Sequence, residues 1–164
     1  MLIRPVANND AARLAEIYSH YIRHSVVTFE EAAIDGSEML NRLHEHRQTD
    51  LPWLVAEREG VVVGYAMASP WKGRCAYRYT VEVTVYVDID HPRSGIGSAL
   101  YADLFEQLRE AKFHSVIAGI ALPNEASVAL HERFGLHKVA HFAEVGHKFD
   151  QWVDVGYWQG QLDA

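Results

Sequence analysis

The stretch that decides the fold covers residues 79–88 and reads Tyr-Thr-Val-Glu-Val-Thr-Val-Tyr-Val-Asp. Its four valines occupy every second position. Because successive side chains of a strand point to opposite faces of a sheet, this period of two predicts a strand with one buried face. Beyond a glycine-containing loop, Ile96, Leu100, Leu104 and Leu108 recur at every fourth residue, which predicts a long amphipathic helix. A strand followed by a covering helix indicates a mixed α/β domain.

Further strands and helices are predicted on both sides of this stretch. Strands are predicted at residues 2–6, 53–56, 61–66 and 114–122, and helices at about 37–47 and 124–134. Another helix is predicted after the polar start signal Asn8-Asn9-Asp10, from apolar residues at helical spacing: Leu14, Ile17, Tyr18, Tyr21 and Ile22. Two final strands are expected to surround residues 146–151. This order predicts a single α/β domain over residues 1–164, with helices covering a central sheet.

The composition is that of an ordinary folded domain and excludes several classes of protein. Of the 164 residues, 49% are hydrophobic and 23% are charged, which excludes disordered and collagen-like chains. The net charge of −7 disfavours nucleic acid as a partner, because an acidic surface repels phosphates. No apolar run approaches the roughly 18 residues of a membrane helix, and no signal peptide is recognisable. We therefore expect a cytoplasmic protein with no membrane partner, and the single Cys75 suits a reducing compartment.

The loop between the predicted strand and helix carries two glycines, in the segment Arg93-Ser94-Gly95-Ile96-Gly97-Ser98. Free N–H groups at a helix N-terminus, approached closely past glycine, can hold a phosphate. A P-loop would need a Lys that is missing here, and a dinucleotide-binding loop would need Gly or Ala where Leu100 stands. What remains is a short pyrophosphate cradle or a glycine pair that serves only the turn geometry.

With its surroundings, this loop resembles that of the GNAT family of N-acetyltransferases, and the resemblance extends over essentially the whole chain. The family loop has the form Gln/Arg-x-x-Gly-x-Gly/Ala, and the segment 92–97 has both glycines but begins with Pro92. The resemblance implies a mixed, mostly antiparallel sheet with helices on both faces and acetyl-coenzyme A as co-substrate. It also implies cofactor contacts from Val85, Tyr86, Val87, Arg93, Ser94, Gly95, Ile96, Gly97, Ser98, Asn124 and Ser127.

Asn124 has two interpretations that are compatible with each other. It stands at the start of a predicted helix, where an Asn side chain commonly caps the first N–H groups. The segment 124–127 also resembles the family's Asn-x-x-Ser motif, which implies that Asn124 contacts the pantetheine arm.

Three further segments resemble the phosphinothricin and methionine sulfoximine acetyltransferases within that family: residues 28–31, 70–87 and 146–155. These enzymes acetylate the α-amine of amino-acid analogues that carry a tetrahedral phosphorus or sulfur. The resemblance implies a small anionic amino-acid substrate, with methionine sulfoximine, methionine sulfone and phosphinothricin as candidates. It also implies a homodimer whose pocket is partly built by the neighbouring subunit.

Glu82 and His131 are the candidate catalytic residues. Glu is a poor strand former, and Glu82 alone would be taken for a solvent-facing residue of an edge strand. Its position in the family instead implies a general base that takes a proton from the attacking ammonium. Many relatives have a Tyr at the position of His131, where it protonates the departing thiolate, so His131 is expected either to do the same or to be structural.

The predicted substrate contacts are Phe29, Arg74, Tyr79 and Glu82. Lys72, Arg74 and Arg78 place three cations in one loop of an acidic chain, where a carboxylate or phosphinate could pair with them. Neighbouring aromatic residues favour a partly enclosed pocket, although a solvated basic loop is the alternative.

Other kinds of chemistry have weaker support in the sequence. The histidine spacing matches no zinc motif, so no metal is expected, and Cys75 lacks the partners of a catalytic thiol. The alternatives to the predicted activity are acetylation of protein N-termini or polyamines, and a non-catalytic acetyl-coenzyme A-binding module. The basic loop argues against polyamines, which need an acidic pocket.

Overall fold

A seven-stranded sheet with the strand order β1-β2-β3-β4-β5-β7-β6 organises the protein in a computed structural model that describes residues 1–91 and 94–162. The strands are β1 (Leu2–Pro5), β2 (Trp53–Arg58), β3 (Val61–Pro70), β4 (Thr80–Val87), β5 (Ser115–Leu122), β6 (His137–Lys148) and β7 (Gln151–Gln161). The helices are α1 (Ala11–His24), α2 (Gly36–His46), α3 (Ile96–Glu110) and α4 (Glu125–Arg133). Arg93, a predicted cofactor contact, lies outside the described residues.

The sheet is mostly antiparallel, which confirms the predicted fold class. All neighbouring strands are antiparallel except β4 and β5. This parallel pair is bonded only where residues 80–82 face residues 115–117. Both strands then continue, β4 to Val87 and β5 to Leu122, without pairing to each other in this described part of the sheet. The sheet is therefore split along a line that begins at Glu82.

Helices cover both faces of the sheet, as predicted. On one face α3 buries Leu100, Leu104 and Leu108 completely against β2 to β5, and α4 packs beside it through Leu130. On the other face α1 and α2 pack against β2 and β3. The period-four leucines predicted this packing because residues at that spacing share one side of a helix.

The last hairpin differs from its prediction in where it turns. The turn was expected within residues 146–151, but β6 runs through Gly146 to Lys148 and only Phe149 and Asp150 form the turn, both with positive φ. Gly146 serves a close contact instead, because a Cβ there would lie 2.3 Å from Cε1 of Phe29. Glycine therefore marks a packing site within the strand rather than its end.

The helices of the described residues include none that is long and apolar enough to cross a membrane.

Candidate active site

The split between β4 and β5 forms a channel of about 400 Å³. Past Glu82, the edge of β4 that faces β5 carries backbone groups with no partner strand, because β3 pairs only with the opposite edge. Predicted cofactor and catalytic residues that line this channel are Val85, Tyr86, Val87, Asn124, Ser127 and His131. An extended ligand can pair with such a free edge as an added strand does.

A second cavity, of about 610 Å³, lies at the N-terminus of α3 and meets the channel at Tyr21 and Val87. The predicted residues Ser94, Gly95, Ile96, Gly97 and Ser98 all line it. Gly95 has φ of 76°, a left-handed conformation that favours glycine. The first N–H groups of a helix have no intrahelical partner, so they provide an anion site in this cavity.

Two further residues that line this cavity, the candidate phosphate cradle, were not singled out from the sequence. His91 and Arg133 both line the cavity, and the Arg133 guanidinium donates to the Ser98 hydroxyl at 3.2 Å. No local signal marks Arg133, because it reaches the cradle from the C-terminal end of α4. It adds a positive charge to the dipole of the α3 N-terminus.

The Asn124 side chain caps α4, as one of its two interpretations predicts, and the residue also borders the channel. Its side-chain oxygen accepts a hydrogen bond from the N–H of Ser127 at 3.2 Å, which caps α4. The same residue lines the channel between the split strands. A cap and a contact with a ligand in the channel are therefore compatible.

A third cavity of about 440 Å³, here called the acceptor cavity, adjoins the channel and shares Val27, Gly119 and Ala121 with it. Both Glu82 and Phe29 line it, so the structure brings these two predicted residues together. Burial raises the pKa of the Glu82 carboxyl above its ordinary value, and the positive charge of Lys72 opposes that rise. A carboxylate with a raised pKa beside two joined cavities is suited to proton transfer.

The loop of residues 25–35, between α1 and α2, carries Phe29 and is fixed by side chains from distant elements. Lys148 is only 1% exposed, and its ammonium donates to the Thr28 carbonyl at 2.7 Å. The Arg42 guanidinium holds Glu30 through two hydrogen bonds of 2.9 and 2.7 Å, and Tyr18 donates to the same carboxylate. These contacts position one wall of the acceptor cavity.

His131 is buried in the channel wall, and both of its ring nitrogens have partners. Nδ1 lies 2.7 Å from the Ser127 carbonyl oxygen, and Nε2 lies 2.8 Å from the Tyr101 hydroxyl. Because a carbonyl only accepts, we assign the hydrogen to Nδ1, so Tyr101 donates to Nε2. Burial lowers the pKa of His131, although the bond to Ser127 opposes this. Tyr101 also lines the channel and was not singled out from the sequence.

The other two predicted substrate residues do not join Glu82 within one chain. Arg74 lines a separate surface cavity of about 330 Å³ together with Lys72 and Arg78. Tyr79 is 53% exposed, with the Arg78 guanidinium 4.7 Å from its ring centre. Arg78 also donates to the Cys75 carbonyl, which folds this loop back on itself. Of the three cations, only Lys72 influences the pKa of Glu82.

The residues that the structure describes include no group of three or more His, Cys, Asp or Glu side chains placed to hold a metal ion.

Comparison with known proteins gives a consistent result across the chain. Residues 3–156 match the model of the acetyltransferase (GNAT) domain family. The chain is 46% identical to the phosphinothricin N-acetyltransferase of Streptomyces viridochromogenes, over 98% of this chain and 87% of that protein. It is 36% identical to the L-methionine sulfoximine/L-methionine sulfone acetyltransferase of Salmonella typhimurium, over 99% of this chain and 95% of the relative.

A solved structure supports the same relationship. The phosphinothricin acetyltransferase of Sinorhizobium meliloti, crystallised with acetyl-coenzyme A, superposes with a TM-score of 0.94 at 31% identity. The match covers 98% of this chain and 88% of that one.

Proposed function

Because this chain belongs to the GNAT acetyltransferase family, we propose that it acetylates the α-amine of a small amino-acid analogue, with Glu82 as general base. The protein is an N-acetyltransferase of the phosphinothricin and methionine sulfoximine type, and acetyl-coenzyme A is its co-substrate. The candidate acceptors are methionine sulfoximine, methionine sulfone and phosphinothricin. The observation that carries the proposal is the position of the half-buried Glu82, beside the junction of the acceptor cavity and the channel.

The residues of the channel and the cradle fit the parts of acetyl-coenzyme A. The free edge of β4 along Val85–Val87 can pair with the amide groups of the pantetheine arm. The N-terminus of α3, with Ser94 and Ser98, offers donors for the pyrophosphate. Acetyl-coenzyme A supplies the activated acetyl group, and we assign the polarisation of its carbonyl to a backbone N–H on the free edge of β4.

Glu82 prepares the nucleophile. An α-amine is an ammonium at neutral pH and has no lone pair for attack, so Glu82 takes one of its protons, directly or through one water. The amine nitrogen then bonds to the thioester carbon, the carbon–sulfur bond breaks to release a thiolate, and the nitrogen loses its second proton to water to give the neutral amide. Because burial raises the pKa of Glu82, its carboxylate is a stronger base than an exposed glutamate.

We assign the return of a proton to the thiolate to His131, acting through Tyr101. When Nε2 of His131 carries a proton, the Tyr101 hydroxyl gives its own hydrogen to the thiolate and takes the one from His131. The 2.8 Å contact between these groups supports the transfer. Burial lowers the pKa of His131, so this relay uses the minor, doubly protonated form of the ring, which is a stronger acid than an exposed imidazolium.

We also propose a homodimer. The acceptor cavity is lined by apolar residues around Glu82, and its described lining includes no cation for a substrate carboxylate. Phe142 and Val145 line this cavity and are half or more exposed, and Val139 on the same strand is 49% exposed. A second copy covering this apolar face would bring its own basic loop to the cavity. Sedimentation at micromolar concentration should show a dimer, and a monomer alone would contradict the proposal.

The activity is tested by the release of free coenzyme A thiol with four acceptors: methionine sulfoximine, phosphinothricin, spermidine and an N-terminal peptide. We expect release with the first two only. Release with spermidine or the peptide would favour the alternative acceptors. Binding of acetyl-coenzyme A without release for any amine would indicate a non-catalytic binding module. A protein with the expected activity would detoxify analogues that inhibit glutamine synthetase.

A further inference from the structure

A further cavity of about 470 Å³ lies between α1, α2 and the sheet, and we call it the aromatic chamber. Four aromatic rings and two methionines line it: Tyr18, Trp53, Tyr65, Tyr86, Met39 and Met67. Polar side chains at its edge include Arg42, Glu45 and His46, with the hydroxyls of Ser69 and Thr84. Such a mixture of rings and few polar groups is typical of sites for small molecules.

The aromatic chamber adjoins Glu82 on the same face of the sheet. Ser69 lies directly opposite Glu82, and Met67 lies opposite Thr84. Directly opposed residues of antiparallel strands point to the same face. Adjacent strands are about 4.8 Å apart. Ser69, which lines the chamber, is therefore the immediate cross-strand neighbour of Glu82. Thr84 and Tyr86 line both the chamber and the cofactor channel.

The charges at the edge of the chamber are already neutralised. Arg42 gives two hydrogen bonds to Glu30, at 2.7 and 2.9 Å, and a third to Glu38 at 3.0 Å. His46 donates from Nε2 to the Ala68 carbonyl at 2.7 Å, and burial lowers its pKa. Glu45 adds a negative charge. Within the described lining there is thus no uncompensated positive charge to pair with a buried anion.

One polar group in the wall lacks a partner. Trp53 is 6% exposed, and its indole Nε1 is buried without a hydrogen-bond acceptor among the residues that the structure describes. A buried N–H without an acceptor is unfavourable, so a ligand oxygen that reaches it, after a small shift of the wall, would be favoured. The chamber therefore suits a side chain with an apolar stem and a neutral oxygen at its end.

We propose that the aromatic chamber receives the side chain of the acceptor amino acid and selects one whose far end is neutral. A sulfone or sulfoximine fits this description, whereas the phosphinate of phosphinothricin is an anion and would enter without a counter-ion. This inference rests on the proposed function, since it assigns the side-chain subsite of the same acceptor.

The first test compares kcat/KM for L-methionine sulfone and L-phosphinothricin in the unmodified protein. We expect at least about a tenfold preference for the sulfone, because a buried anion without a partner is strongly disfavoured. Equal values, or a preference for phosphinothricin, would overturn the inference. If neither compound releases coenzyme A thiol, the proposed function itself fails, and the two failures are thus distinguishable.

Trp53→Phe tests the unpartnered N–H while keeping an aromatic ring in the wall. We expect kcat/KM for methionine sulfone to fall about threefold to tenfold, the range for one lost hydrogen bond. The kcat/KM for L-methionine, which lacks the sulfone oxygens, should fall much less. Trp152→Phe is the matched control, because Trp152 is 64% exposed on β7. Equal losses for both substrates would contradict a role for the N–H.

Glu30→Gln tests the proposed selection against anionic side chains by adding positive charge to the edge of the chamber. Removing this carboxylate leaves Arg42 paired with Glu38 alone and makes the edge of the chamber more positive by one charge, so the ratio of kcat/KM for phosphinothricin to that for the sulfone should rise about fivefold. Glu31→Gln, at the next position and exposed, is the control and should leave the ratio unchanged. A thermal melt of both variants shows whether the loop has loosened. An unchanged ratio in a folded Glu30→Gln protein would overturn the inference.

Discussion

The two halves of the proposed site, one for acetyl-coenzyme A and one for the acceptor, are built in different ways. The cofactor half uses the free edge of β4 and the N-terminus of α3, so most of its hydrogen-bonding groups belong to the backbone. The acceptor half is built from side chains of separated segments, including Phe29, Glu82, Phe142 and Tyr157. A backbone site depends on the path of the chain, whereas a side-chain site depends on the identity of each residue. Binding of the common co-substrate and choice of the acceptor are therefore separable by mutation.

The largest expected effect separates chemistry from cofactor binding. Glu82→Gln removes the base but keeps the size of the side chain, so kcat should fall about 10²-fold to 10⁴-fold. The affinity for acetyl-coenzyme A, measured by calorimetry, should stay within about twofold, because the free edge of β4 is unchanged.

The exposed Glu106→Gln on α3 is the matched control for that substitution and should keep full activity. Loss of acetyl-coenzyme A binding in Glu82→Gln would show that the two halves are not separable at this position.

Gly146→Ala is expected to damage the acceptor half alone. The added Cβ would lie 2.3 Å from the Phe29 ring, so the ring must move and change the wall of the acceptor cavity. We expect KM for the acceptor to rise about threefold to tenfold, and the overpacking to lower the stability of the fold by about 1–3 kcal/mol. Ala143→Ser also adds one heavy atom, at an exposed position of the same strand, and should leave KM unchanged. An equal rise in KM for acetyl-coenzyme A would contradict the separation of the cofactor half from the acceptor half.

Two helix caps of the same kind allow a matched test of the cofactor half. Asn124 caps α4 at the channel, and Asp35 caps α2 away from it by accepting from the Glu38 N–H at 2.9 Å. Replacing either residue by Ala should destabilise the fold by about 1 kcal/mol, which a thermal melt measures. Only Asn124→Ala should also weaken acetyl-coenzyme A binding. Equal affinities in the two variants would leave Asn124 with a capping role alone.

The smallest expected effect is a shift of the pH profile. Glu82 must be deprotonated to act as a base, so kcat/KM should rise with pH through a pKa that burial has raised above the ordinary value. Lys72→Gln removes the positive charge that opposes this rise, so the acidic limb should move to higher pH. If the acidic limb of the pH profile of Lys72→Gln stays in place or moves to lower pH, this would contradict the assignment of Glu82 as the base or its coupling to Lys72.

More of the predicted cofactor residues than of the predicted acceptor residues lie together in the described structure. Alternating valines predicted β4, and the glycine pair with the leucine period predicted the turn into α3, because these patterns are local. Arg133 could not be found in this way, since it reaches the cradle from a helix that is distant in the sequence.

The acceptor half was predicted only in part for a similar reason. Phe29 and Glu82 do share a cavity, but Arg74 and Tyr79 lie away from it in the single chain. A cluster of cations in sequence does not determine which cavity the loop faces. Gly146 was placed in a turn, because sequence alone cannot distinguish a glycine needed for a turn from one needed for close packing.

The sequence by itself determined the alternation of strands and helices and the glycine turn into α3, because these properties depend on the period of the side chains and on glycine, which act within a few residues. Its resemblance to the GNAT family, and not any local pattern, singled out Glu82 as the candidate base. The tertiary structure decided where the sheet splits, which cavities Glu82 adjoins, and that Lys148, Arg42 and Tyr101 support the site. Those contacts join residues far apart along the chain, and only packing brings them within hydrogen-bond distance.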